Sequence, residues 1–147
     1  MAHADSAGTD SIATLLREEN LDAAAQSIYR SVESRDWLNV VRKSRRVLTA
    51  PDSLLQAYPN TFYIYDWYVG ALNSLGKYAK VPEIAHQGQQ YAERLFRPSE
   101  KAYYNMPLAE IVALWQMNRW DEAMARVAEM DSISRTSGKD IMRGDAP

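Results

Sequence analysis

The sequence of 147 residues contains no cysteine and only two histidines, His3 and His86. The lack of cysteine excludes disulfide bonds, cysteine nucleophiles, iron–sulfur sites and thiolate zinc sites. Two histidines are also too few for a histidine-rich metal site. We therefore expect no metal and no cofactor.

The chain also lacks a strong charge imbalance and a long apolar run. It has 17 Lys and Arg against 19 Asp and Glu, a net charge of -2, which is not the balance of a general nucleic-acid binder. The longest apolar run, residues 111–115, is far shorter than the roughly 20 residues that span a bilayer. Residues 1–9 lack the pattern of a secretory signal or a transit peptide. We expect a soluble intracellular protein, either cytoplasmic or a mature chain in the mitochondrial matrix.

The six glycines and six prolines are few, and several of them separate segments whose apolar spacing is helical. The predicted helices cover 11–19, 21–34, 36–49, 52–56, 61–75, 79–96, 99–117 and 119–133. Ser99 is the predicted cap of the seventh helix, which is bent or interrupted at Pro107. No segment shows the alternation of a strand. The predicted organisation is an N-terminal extension over 1–10, a helical domain over 11–133 and a polar C-terminal tail over 134–147.

Three similar junctions indicate an internal repeat. They are Arg35-Asp36-Trp37, Gly76-Lys77-Tyr78 and Asn118-Arg119-Trp120, with aromatic residues 41 and 42 positions apart. The neighbouring positions follow the same register. Three residues after each aromatic lie Val40, Val81 and Ala123; six before lie Ser31, Leu72 and Leu114; nine before lie Ile28, Val69 and Ile111. The pattern predicts three tandem antiparallel helical hairpins, each with a buried face, and an extra N-terminal helix.

The third and second junctions resemble known repeat families. The segment Ala113-Leu114-Trp115-Gln116-Met117-Asn118-Arg119-Trp120-Asp121-Glu122-Ala123, with Ala128-Glu129-Met130, is similar to the "GRWDEA…EM" of pentatricopeptide repeats. The segment Trp67-Tyr68-Val69-Gly70-Ala71-Leu72-Asn73-Ser74-Leu75-Gly76-Lys77-Tyr78 resembles the "LG-x-Y" of tetratricopeptide repeats. The resemblance spans about residues 21–133, although the period exceeds the 34 or 35 residues of those families. It implies an all-α solenoid whose first helices line a concave binding surface.

In that register, polar and aromatic residues of the first helices would face a partner. They are Asp22, Tyr29, Tyr63, Asp66, Asn73, Asn105 and Gln116. The set contains no Lys or Arg, which argues against the tetratricopeptide mode of clamping a terminal carboxylate. The base-reading position of pentatricopeptide repeats would hold Ala25, Asp66 and Leu108, of which only Asp66 is polar, so little RNA sequence could be read.

Two local clusters stand out. Six aromatic residues lie within 58–68; Tyr65 and Tyr68 share one helix face with Leu72, whereas Tyr63 and Trp67 lie on another. The cluster is either a packed central helix or an anchor for a partner. The one basic run contains Arg42, Lys43, Arg45 and Arg46. It is either a solvated helix face or an electrostatic contact to an acidic protein, RNA or an anionic surface.

The sequence holds no arrangement typical of catalysis. The adjacent carboxylates diverge by about 100° on a helix, and His86 is interpreted as a surface partner of Glu83. We expect a non-catalytic protein–protein interaction module, an accessory or scaffold subunit of a complex; the alternative is an RNA-binding or RNA-processing adaptor. In size and helix content the chain resembles the small repeat subunit on the F1 head of euglenozoan mitochondrial ATP synthases. The expected partners are protein subunits rather than nucleic acid.

Overall fold

The computed structural model describes residues 18–144 and is all-α, as predicted. The helices are α1 Glu18–Glu33, α2 Trp37–Val47, α3 Asp52–Ala57, α4 Thr61–Ser74, α5 Val81–Leu95, α6 Asn105–Gln116 and α7 Trp120–Gly144. Short 3₁₀ turns cover Tyr78–Lys80 and Lys101–Tyr104. Over 18–144 no residue lies in a strand. The predicted extension over 1–10 and most of the predicted helix over 11–19 lie outside the described residues.

The chain divides into two compact units, residues 1–71 and 72–147, and the boundary falls within α4. In the first unit α1 packs against α2; in the second unit α5 packs against α6, and α6 against α7. The sequence predicted one helical domain over 11–133. No change of composition and no proline marks residue 71, because the boundary interrupts neither the helix nor its apolar pattern.

The three junctions have one common geometry. The second residue after each first helix adopts a left-handed conformation: Arg35 at φ 55°, Gly76 at φ 72° and Asn118 at φ 61°. The next amide N–H donates to the carbonyl five residues earlier: Asp36 to Ser31 at 2.9 Å, Lys77 to Leu72 at 2.8 Å and Arg119 to Leu114 at 2.9 Å. This is the Schellman arrangement that closes a helix C-terminus. The aligned acceptors are the residues that the repeat register placed six before each aromatic.

The repeated apolar positions form the interior of the helices. Val40, Val81 and Ala123 are fully buried, and so are Ile28 and Val69, whereas Ile111 is half-buried. Ser31 is the polar member of its set, and it is buried as well. The burial confirms that one face of each helix was correctly identified from the spacing.

Helix ends depart from the prediction where local hydrogen bonds decide them. The Asp36 side chain accepts the Asn39 amide at 3.4 Å, so α2 begins at Trp37. Ser99 does not cap a helix, because the Glu100 carboxylate accepts the Arg97 amide at 2.9 Å and α6 begins only at Asn105. Pro107 therefore lies in the first turn of α6, where a missing N–H costs little, and it does not interrupt the helix.

The last helix is longer than predicted. The prediction ended it at residue 133, but α7 continues to Gly144. No proline interrupts the segment before Pro147. Arg135 and Asp131 form an ion pair at 3.0 Å, one turn apart, which favours the helix. A polar segment without apolar periodicity is thus helical over 134–144.

Candidate partner-binding surfaces

Three aromatic side chains of the first unit form a surface cluster, called here the aromatic cluster: Tyr29 on α1, with Tyr63 and Trp67 on α4. The Tyr29 and Trp67 ring centroids lie 5.5 Å apart, and those of Tyr63 and Trp67 lie 6.2 Å apart. Tyr29 is 47% exposed and Tyr63 39% exposed, whereas Trp67 is half-buried. Tyr29 and Tyr63, both predicted to bind a partner, therefore each pack against Trp67.

Neighbouring contacts fix the helices that carry the aromatic cluster. The Tyr58 hydroxyl donates to Asp22 Oδ1 at 2.9 Å, which ties the segment before α4 to α1. The Thr61 hydroxyl donates to the Leu55 carbonyl at 2.7 Å inside the core. Phe62 is fully buried and its ring meets the edge of Tyr63 at 5.3 Å. The exposed tyrosines thus stand on a well-packed base.

The rest of α4 confirms the predicted division of its aromatic residues. Tyr65, Tyr68 and Leu72 are buried, in agreement with the face assigned to packing. Burial raises the pKa of the Tyr68 hydroxyl, and the positive charge of Arg45 partly opposes that shift. The face with Tyr63 and Trp67 is the one that reaches the surface.

The other predicted partner-binding residues lie in different parts of the two units and differ in exposure. Asp66 is half-buried in the first unit. In the second unit, Asn73 donates its side-chain amide to the Ala109 carbonyl at 3.1 Å, so it holds α4 to α6. Asn105 is half-buried at the start of α6, and Gln116 is exposed at its end. Of the predicted residues, Tyr29 and Tyr63 share a contact with Trp67.

The basic run is split by the packing of α2. Lys43 turns inward, and its Nζ donates to the Ser27 carbonyl at 3.2 Å and to Ser31 Oγ at 2.9 Å. Arg42 donates to Asn39 Oδ1 at 2.6 Å, while Arg45 and Arg46 are exposed. Lys43 therefore joins α1 to α2 and is not part of a continuous basic surface.

A charged cluster in the second unit was missed by the sequence interpretation. Glu110 on α6 is 7% exposed; its Oε1 lies 3.0 Å from His86 Nε2 on α5, and its Oε2 accepts Arg126 Nε on α7 at 3.0 Å. Arg126 also pairs with Glu129 at 2.7 Å. His86 is thus a partner of Glu110 rather than of Glu83. The available signal was that Glu110 is the one charge in the apolar segment 106–115.

The environment of this cluster shifts the pKa of Arg126 and that of nearby Tyr103. Burial lowers the pKa of Arg126, but Glu129 and Glu110 more than offset it, so the net shift is upward. The pKa of the Tyr103 hydroxyl is raised by burial, then by Glu93 and Tyr104, with Gln89 and Arg126 in partial opposition. The arrangement joins α5, α6 and α7 through one buried carboxylate.

The second unit also exposes apolar side chains on α6 and α7. Between these helices lies a groove of about 420 Å³, called here the α6–α7 groove, whose lining includes Tyr104, Leu108, Ile111, Val127, Met130 and Ser134. Beyond it, Trp115 and Trp120 meet across the third junction with centroids 6.1 Å apart. Lys101 and Asp131 supply the charged part of the lining.

Comparison of the chain with protein-family models, with curated proteins and with solved structures finds no match. Within residues 18–144, no group of three or more His, Asp or Glu side chains could hold a metal ion. No helix in the same part of the chain is long and apolar enough to cross a membrane.

Proposed function

We propose that the chain is a non-catalytic protein–protein interaction module, an accessory or scaffold subunit that binds its partner through the aromatic cluster. The observation that carries the proposal is the pair of exposed tyrosines, Tyr29 and Tyr63, both held against Trp67. Aromatic side chains are enriched among the residues that dominate binding energy. Rings already held in place lose less conformational freedom when a partner binds.

The test is purification of the tagged protein from its own cells, with and without nuclease, followed by sizing and mass spectrometry. We expect a defined, nuclease-resistant protein assembly. The double variant Tyr29→Ser, Tyr63→Ser should retain this assembly at least about tenfold less well, the size expected for hot-spot residues. Leu38→Ser is the matched control, because Leu38 is a highly exposed apolar residue of the same unit outside the cluster. Equal loss in both variants would contradict the proposal.

A more specific form of the proposal places the chain on the F1 head of a mitochondrial ATP synthase, in the matrix. It is supported by the resemblance in size and helix content alone. Co-purification with the catalytic subunits of F1 would support it. Recovery of the chain as a lone species near 16.7 kDa would contradict it and the general proposal together.

The alternative function is an RNA-binding or RNA-processing adaptor. It is supported by the exposed arginines of α2, namely Arg42, Arg45 and Arg46. Neutralising phosphates makes such binding strongly salt-dependent. A nuclease-sensitive association that Arg45→Glu, Arg46→Glu abolishes would favour this function over the first.

A further inference from the structure

The residues of α7 that line the α6–α7 groove correspond, in the 42-residue repeat, to residues of α5. On α5 a further helix, α6, packs against the chain. The repeat register of 42 residues aligns Val127, Met130 and Ser134 of α7 with Ala85, Gly88 and Ala92 of α5. These three α5 residues are buried, and α5 packs against α6. Their α7 counterparts line the groove, and Val127 is 38% exposed. The three positions that are buried on α5, the helix against which α6 packs, are thus left lining a groove on α7.

We propose that this groove binds one amphipathic α-helix of a partner protein, in the place that α6 takes on α5. The binding would extend the α5–α6 interface by one step of the repeat. The apolar residues of α7 that are exposed or line the groove run from Trp120 through Val127 to Met130, about 15 Å at 1.5 Å per residue, so the bound helix has at least about 10 residues. Such helices contact a groove through apolar residues at spacings of three and four.

A second copy of the chain does not supply this helix through α1. In the repeat register, Glu110 and Ala113 of α6, which are buried, correspond to Ser27 and Arg30 of α1. Arg30 is exposed, and the Ser27 carbonyl already accepts the Lys43 side chain. The face of α1 that would have to enter an apolar groove is therefore polar, and burying it without new partners is unfavourable.

The groove also predicts the chemical type of one side chain of the bound helix. On α6 the buried Glu110 meets His86 of α5. The α7 residue in the register position of His86 is Ala128, which offers no hydrogen bond. A carboxylate at that point of the bound helix would lack the partner that His86 gives to Glu110, so we expect an apolar residue there. The partner helix thus resembles α6 with Glu110 exchanged for an apolar residue.

The probe is a synthetic peptide with the sequence of residues 103–117, the substitution Glu110→Leu and lysines added at both ends for solubility, titrated by calorimetry into the full chain. We expect saturable binding with one peptide per chain. Val127→Glu in the chain should weaken it about tenfold or more, because the peptide would bury an unpaired carboxylate. Leu108→Glu, on the opposite wall of the groove, should act in the same direction.

Ala125→Glu is the matched control, since this exposed position of α7 is turned about 160° from Val127 on the helix. The peptide should bind the control variant as it binds the parent chain. Circular dichroism and urea midpoints verify that each variant is folded. The unmodified peptide, with Glu110 retained, should bind at least about tenfold more weakly.

Three results would overturn the proposal. The first is no binding of the peptide to a folded chain, and the second is equal weakening by Val127→Glu and Ala125→Glu. The third is self-association of the parent chain in sedimentation that Val127→Glu abolishes, which would assign the groove to a second copy. None of these results bears on the aromatic cluster, whose test uses other residues of the first unit.

Discussion

Arg35, Gly76 and Asn118 adopt the same left-handed backbone conformation, although only glycine does so without a steric penalty. For an L-residue the penalty is about 1–2 kcal/mol, and asparagine reduces it through local hydrogen bonds. Two of the three junctions therefore keep their turn at a cost in stability. Their shared hydrogen bonds show that the turn is preserved whichever residue occupies it.

Replacing Arg35 by glycine should stabilise the chain. We expect Arg35→Gly to raise the free energy of unfolding by about 0.5–1 kcal/mol, because relief of the backbone penalty exceeds the added freedom of the unfolded chain. Asn118→Gly should give a smaller gain. Urea denaturation followed by circular dichroism measures both, and a loss of stability in Arg35→Gly would contradict the argument.

Replacing the glycine of the second junction measures the cost of the left-handed backbone conformation by itself. In Gly76→Ala the new Cβ would meet nothing closer than the Tyr78 ring at 3.9 Å, an ordinary contact. We therefore expect a loss of about 1–2 kcal/mol from conformation alone. Gly70→Ala is the control, because Gly70 lies within α4 with open space around it and should gain stability from helix propensity.

Tyr68 and Tyr103 should contribute to alkaline unfolding. Both have a pKa raised above the ordinary value of 10.0, chiefly by burial. The unfolded chain loses these protons first, so their contribution is present below pH 10 and is lost as pH rises through the folded pKa. The urea midpoint should therefore fall less between about pH 9 and pH 11 in Tyr68→Phe, Tyr103→Phe than in the parent chain. Tyr29→Phe, at an exposed position, is the control, and an unchanged slope in the double variant would contradict the prediction.

Among the helices, Glu110 of α6 contacts both α5 and α7. It therefore positions these three helices more specifically than apolar packing alone would. Removing one partner of a buried ion pair leaves an uncompensated charge. We expect Arg126→Met to lower the free energy of unfolding by about 3 kcal/mol, and Glu110→Gln added to that variant should restore part of the loss. Glu129→Gln should change stability by less than about 1 kcal/mol, because Glu129 is an exposed partner of the same arginine. A large effect of Glu129→Gln would indicate that the exposed pair matters more.

The helices were predictable from the sequence because their apolar periodicity and their turns agree. The three junctions and the buried residues Val40, Val81 and Ala123 follow from spacing alone. The inward turn of Lys43 was not predictable, since it depends on the Ser27 carbonyl of another helix. The same holds for Glu110, whose partners lie 24 residues before it and 16 after it. Contacts between helices decided these side chains, and a single sequence does not display them.

The candidate surfaces were predictable in part. Tyr29 and Tyr63 follow from the repeat register, and their meeting on Trp67 is a result of packing. The α6–α7 groove was not anticipated, because its apolar residues have the spacing of a buried face. A buried face and an open groove differ in how far their apolar side chains are exposed to solvent. That exposure depends on which element packs opposite the helix.

The molecule as a whole has a small net charge and exposes several apolar side chains. The net charge is -2 at pH 7 and the isoelectric point lies near 5.7. We expect a solubility minimum near that pH, since charge repulsion between molecules is then smallest. Met124→Glu adds a negative charge at an exposed apolar position and should raise solubility at pH 7. Precipitation assays across pH test this, with Ala125→Glu as a control of equal charge; equal solubility of both variants would assign the effect to charge alone.

The division into two units also separates the tryptophans, two in each: Trp37 and Trp67 lie in the first unit, and Trp115 and Trp120 in the second. A chain with both tryptophans of one unit changed to phenylalanine would show tryptophan fluorescence from the other unit only. The paired variants would therefore follow the unfolding of each half separately in an otherwise intact chain. Coincident midpoints would mean that the boundary inside α4 transmits unfolding as one cooperative event. The molecule thus carries an optical reporter for each of its halves.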